Sequence, residues 1–180
     1  MKTEINEAAI NMVGGSWKPE WSKTDPAWAP MWKHVEHCRT AVRKVYAYAA
    51  EVAARTDLEP GQRWAALKRH VDEVMPTLEP GAATAWARAR IAALRRELTP
   101  DDPADHRQVL ALRQANPGAQ AELEALEKAV EVMTYTRNAA VKYVKEALGA
   151  EPVQGTATAA EGVRWPRDGT AHLWNWTPPR

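Results

Sequence analysis

Between residues 31 and 55 the apolar side chains Val35, Cys38, Val42, Val45, Ala49 and Val52 recur at alternating intervals of three and four. That spacing places them on one stripe of an amphipathic helix. The alternation returns within 117–148, at Leu123, Leu126, Val130, Met133, Arg137, Ala140, Val144 and Ala147, interrupted only by Arg137. At the α-helical rise the two helices measure roughly 37 and 48 Å. Two heptad seams of this length predict an elongated bundle whose first and last body helices pack together. The same seams would also suit a coiled coil to a second copy of the chain.

Short punctuation separates the seams. "LEPG" stands at Leu58–Gly61 and again at Leu78–Gly81, "LTPD" at Leu98–Asp101 and "NPGAQ" at Asn116–Gln120. Each reads as a helix start: an apolar residue, a cap (Glu59, Glu79, Thr99 or Asn116), then proline at the first helical position. The segments between them share no internal pattern, so the motif marks helix starts and not a solenoid repeat. The predicted helices lie near 31–55, 60–75, 81–97, 101–115 and 117–148. No strand is predicted, although "HLWNW" (His172–Trp176) alternates briefly.

Outside this body the pattern fails. Pro19, Pro26 and Pro30 with Gly14-Gly15 block a continuous helix in the first residues, and the stretch after residue 150 is rich in Gly, Thr, Ala and Pro. The chain therefore divides into an N-terminal arm (1–29), a helical bundle (30–149) and a C-terminal arm (150–180). These arms hold most of the tryptophan. Trp17, Trp21, Trp28 and Trp32 precede or open the body, Trp165, Trp174 and Trp176 follow it, and Trp64 and Trp86 are interior. Unstructured tails normally lack large aromatics, and tryptophan is enriched where interfaces concentrate their energy. Two destinations follow: the arms fold back over their own bundle, or they dock on partner subunits.

Composition narrows the class. The 24 Lys+Arg nearly balance the 23 Asp+Glu, for a net charge of +1. That argues against a dedicated nucleic-acid-coating or membrane-surface protein. A single cysteine, Cys38, excludes an internal disulfide and fits a reducing compartment. The first residues carry acids and no apolar run, unlike a signal peptide, and no stretch approaches a membrane span. A soluble chain, cytoplasmic when made, is expected.

Candidate chemistry is thin. The only serines, Ser16 and Ser22, fall in the N-terminal arm. Cys38 has His34 four residues before it and His37 beside it, but its seam position suits a buried thiol better than a nucleophile. His34 and His37 lie close enough to share a metal, yet zinc needs further ligands that the pattern does not supply. No phosphate-binding glycine loop is present. The sequence therefore predicts no catalytic, cofactor-binding or metal-binding residues and no enzyme activity. A nucleic-acid contact is the sharper alternative, since Trp86, Arg88, Arg95 and Arg96 combine stacking and charge on one short helix. Between Pro60 and Arg113, however, nine Lys/Arg meet seven Asp/Glu, which is closer to a salt-bridged surface.

The reading that joins these features is a non-enzymatic structural or adaptor subunit of a larger assembly. Its partner-binding residues would be Trp17, Trp21, Trp28, Trp32, Trp165, Trp174 and Trp176, and its partners other protein subunits, including copies of itself. In architecture it resembles small bacteriophage virion proteins of the head–tail adaptor or connector type. The alternatives are a helical small subunit of an RNA-guided or other nucleic-acid-binding complex, and a helical accessory subunit of an oxidoreductase.

Overall fold

The computed structural model describes residues 1–18, 21, 26–100 and 106–152, and among them every regular element is helical. A short helix α1 (Glu7–Met12) precedes the five body helices: α2 (Ala29–Ala53), α3 (Pro60–Val74), α4 (Gly81–Glu97), α5 (His106–Ala115) and α6 (Pro117–Leu148). Short 3-10 turns at Pro26–Trp28 and Met75–Leu78 lead into α2 and follow α3. The fold is an all-α bundle, as the seams predict. No helix among the described residues is long and apolar enough to cross a membrane.

The punctuation places the starts of α3, α4 and α6 to within a residue. Glu59 opens α3 with a capping box, in which Gln62 Oε1 accepts the Glu59 N–H at 3.0 Å. The α4 start differs by one position: Pro80, not Glu79, is the N-cap. Glu79 instead accepts from Arg137 Nη2 at 2.6 Å and ties this turn to α6. Asn116 caps α6, but its amide turns back and donates to Leu112 O at 2.9 Å. Thr99 was expected to cap the next helix. Its hydroxyl instead donates to Arg95 O at 2.5 Å and closes α4, while residues 101–105 lie outside those described. Leu78 and Leu98, the apolar residues ahead of two of these signals, are fully buried.

The two seam helices, α2 and α6, form the most extensively packed pair. The predicted α2 seam, Val35 to Val52, is buried throughout. Met31 and Val35 cluster with Leu126, Ala129, Val132 and Met133, whereas Cys38, Val42, Val45 and Ala49 cluster with Ala140, Val144 and Ala147. Both helices meet the two clusters in the same order, so they run parallel. On α6 the register departs from the strict heptad. Ala129 and Thr136 are buried where Val130 and Arg137 were expected. The buried pairs Ala129/Ala140, Met133/Val144 and Thr136/Ala147 are each eleven apart, a period closer to the 3.6-residue turn of a straight helix than the strict heptad is. Arg137 therefore does not interrupt the core. Thr136 takes the inward position, with its hydroxyl bonded to Val132 O at 2.8 Å. Within this chain the seams face each other, and the surface that a coiled coil to another copy would use is already covered.

A parallel pair requires the intervening chain to travel back. α3 does so along α2: Arg63 Nε at its start bonds Leu58 O, and the turn at its end meets the N-terminal third of α2 through His34···Leu78 O (3.2 Å) and His37···Thr77 Oγ1 (3.1 Å). α4 continues past the start of α2 and packs on the first half of α6. Two ion pairs flank that contact, Arg90–Glu122 (2.6 Å) and Arg95–Glu127 (2.7 Å).

The N-terminal residues lie along this frame and not away from it. The Lys2 N–H donates to Ala147 O at 2.8 Å at the far end of α6. Ile10 and Val13 join the α2/α6 core, Arg43 holds Glu7, and Arg39 Nε donates to Val13 O at 2.8 Å. The segment thus covers the α2–α6 seam like a strap. It passes between the two helices at Gly14, whose φ is +73°; a Cβ there would sit 2.3 Å from Val35 Cγ1 and 3.4 Å from Thr136 Oγ1. Only glycine satisfies both the left-handed backbone and the missing space. Gly14→Ala is therefore expected to cost about 2 kcal/mol or more in a urea unfolding titration, and a change within about 0.5 kcal/mol would show that the strap is not seated as described.

Candidate interaction surfaces

The four N-terminal tryptophans meet at the start of α2. Trp17 and Trp21 are edge to face at 5.2 Å, Trp21 stacks on Trp28 at 5.6 Å, and Trp32 lies 6.1 Å from Trp17. Trp17, Trp21 and Trp28 are only 6%, 8% and 7% exposed, and they pack with Met31, Ala87, Ile91 and Leu94. Trp32 is half-buried beneath the Arg39 guanidinium, 5.6 Å from its ring centre. The cluster closes the end where α6 and α4 extend beyond α2. Of the two destinations open to these residues, folding back describes where Trp17, Trp21, Trp28 and Trp32 sit. Their rings are covered because the start of α2 would otherwise leave Met31 and the α4 face exposed. Trp165, Trp174 and Trp176 lie outside the described residues.

The residues considered for nucleic-acid contact do not converge on one face. Trp86 and Arg88 are two positions apart, about 200° around the helix. Trp86 packs against Trp28 at 6.5 Å and is 40% exposed. Arg88 points into a separate groove between α4 and α6 that it shares with Ile91, Arg95, Val130, Glu127 and Glu131. Arg95 is bonded to Glu127, and Arg88 Nε donates to Thr84 Oγ1 at 3.2 Å. Arg96 turns back to Ala92 O at 3.2 Å. Two arginines facing two glutamates form a balanced surface, without the positive field that a phosphate backbone requires.

The Cys38–His34 pair has the proximity of a catalytic dyad but not its proton chemistry. His34 Nε2 lies 3.2 Å from Leu78 O and 3.5 Å from Cys38 Sγ. A carbonyl only accepts, so that nitrogen carries a proton directed at Leu78 and cannot take one from the thiol. Burial holds the His34 imidazole below its ordinary range and pushes the Cys38 thiol from 9.0 up to about 11. A nucleophilic cysteine needs the opposite shift. Among the described residues no three His, Cys, Asp or Glu side chains are grouped to hold a metal ion.

Two surfaces escaped the sequence pattern. α5 buries none of its residues: Val109 and Leu112 are half-buried and Leu110 is 58% exposed. Its apolar spacing is legible in the sequence, but that α6 covers it only in part is not. The second is a groove between the strap and α6, flanked by Met12 and Tyr135, which are 69% and 59% exposed. No helical period could reveal it, since one wall is the Gly14–Gly15 turn.

No family model matches the chain, and no curated protein or solved structure matches it.

The thiol offers a direct check on the core. A folded pKa above the unfolded one means that the stabilisation of protonated Cys38 is complete below about pH 9.0 and is lost as the pH rises through about 11. At neutral pH the native protein should leave Ellman's reagent unreacted, with one thiol per chain released on unfolding in guanidinium. Prompt reaction of the folded protein would contradict the burial of the seam.

Proposed function

We propose that this chain is a non-enzymatic structural subunit of a larger protein assembly, which it joins through helix and tail surfaces. The observation that carries the reading is α5. An amphipathic helix of 10 residues, none of them buried, gains little from its own bundle, because most helical stability in proteins comes from packing an apolar face. Covering Val109, Leu110 and Leu112 against another subunit supplies that packing. The tryptophans near the end of the chain offer a second attachment: Trp174 and Trp176 are large anchors of the type that dominates interface energies. The four N-terminal tryptophans have no place in this proposal, since their rings serve the core.

The specific form we favour is a small virion protein of head–tail adaptor or connector type, cytoplasmic when made, with copies of itself among its partners. A narrow helical body carrying peripheral attachment elements suits an interlocking ring. This is an argument from architecture. A nucleic-acid subunit is less favoured because Arg95 is paired with Glu127 and Arg88 is directed away from Trp86. An accessory oxidoreductase subunit has no feature here to recommend it over the other two.

Native mass measurement tests the proposal. The expected species is a discrete multiple of the 20.0 kDa chain, and Leu110→Glu should return it toward a single chain while changing stability by no more than about 0.5 kcal/mol. A single chain at every concentration, with Leu110→Glu without effect, would contradict it.

A further inference from the structure

The groove between the strap and α6 has a volume of about 360 Å³ and is open on one side. Its floor is Gly14, Gly15, Val132 and Ala139, and its rims are the exposed side chains of Met12 and Tyr135. A thioether at a ring edge is a favourable contact, which Met12 offers to an aromatic ring in the groove. Charge is distributed unevenly around the groove. Lys142 lines one end, whereas Glu131, one turn before Tyr135, lies outside the groove and is paired with Lys128 at 2.7 Å.

The chain contains an occupant of matching chemistry. Trp165 is flanked by Arg164 and Arg167 and then Glu161 and Asp168, so an aromatic ring is bracketed first by bases and then by acids. The distance is also suitable. From Leu148 back to Tyr135 along α6 is about 20 Å, whereas the thirteen residues from Pro152 to Trp165 reach up to roughly 43 Å. A tether of that length gives an effective concentration on the order of millimolar, which favours the same chain over a neighbour. The strap sets a precedent, because it covers an apolar face of this bundle with tryptophan from a proline-containing segment. We propose that Trp165 seats in this groove of its own chain, beside Met12 and Tyr135, and so directs Trp174 and Trp176 outward from a fixed point. The inference does not depend on the assembly reading.

Photo-cross-linking of the full chain tests it. p-Azidophenylalanine replaces Tyr135, and equal amounts of unlabelled and nitrogen-15 chains are mixed before irradiation. The expected products join residue 135 to the peptide containing Trp165, with both halves always carrying the same isotope. Their yield should fall about ten-fold or more with Trp165→Asp, as expected for loss of a buried tryptophan. Circular dichroism of that variant should match the parent, since position 165 is not part of any described helix. Mixed-isotope products would assign the groove to a second copy and overturn the proposal. So would the absence of this product, or a yield indifferent to Trp165→Asp.

Discussion

The parallel packing of α2 on α6 is the constraint from which the rest of the molecule follows. Two long helices running in the same direction cannot be joined by a short loop, so the chain between them must travel back. α3 and its 3-10 turn provide that return along α2. α4 then follows α6 beyond the point where α2 begins, because α6 is 32 residues long and α2 only 25. The mismatch leaves apolar surface at the start of α2, and this is where Trp17, Trp21 and Trp28 are buried. The parallel pair also leaves a seam open along its length, which the strap covers. The Gly14 crossing and the tryptophan cluster are therefore consequences of one geometric choice.

Much of this architecture was legible in the sequence because local rules and global packing agree. Proline at the first helical position marks the starts of α3 and α6 that the structure reproduces, and Leu78, ahead of α4, is buried as its place before a helix start predicts. The α2 stripe from Val35 to Val52 is core at every position. On α6 the strict heptad placed Val130 and Arg137 inward, but a straight helix advances by about 3.6 residues per turn, so the contact line drifts to Ala129 and Thr136. The helix packs on both α2 and α4, which leaves it no reason to supercoil around one partner.

The candidate surfaces were harder to read. Proline and glycine in the first residues resemble an unattached arm, and only the fold shows that Gly14 fits between Val35 and Thr136. The separation of Trp86 from Arg88 follows from helical geometry alone, yet its significance depends on Trp28 occupying one side and α6 the other. The Met12–Tyr135 groove joins elements more than a hundred residues apart and has no local signature. Trp17, Trp21 and Trp28 are committed to the core, which leaves α5, with none of its residues buried, as the surface on which the proposed function rests. The buried Cys38, with His34 committed to the Leu78 carbonyl, weighs against nucleophilic chemistry in the one place where the sequence allowed it.

The central structural claim is the direction of α2 relative to α6, and interspin distances test it most directly. Spin labels at Glu51→Cys and Lys145→Cys place probes on exposed positions near the C-terminal ends of the two helices. Labels at Glu51→Cys and Gly118→Cys place the second probe at the opposite end of α6. With native Cys38 buried and unlabelled, the first pair should give a distance under about 25 Å, set by interhelical spacing and side-chain reach. The second should give about 45 Å, the rise of α6 between its ends. A long distance for the first pair and a short one for the second would mean that the helices run antiparallel, and the return path, the strap and the tryptophan-filled end would lose their explanation together.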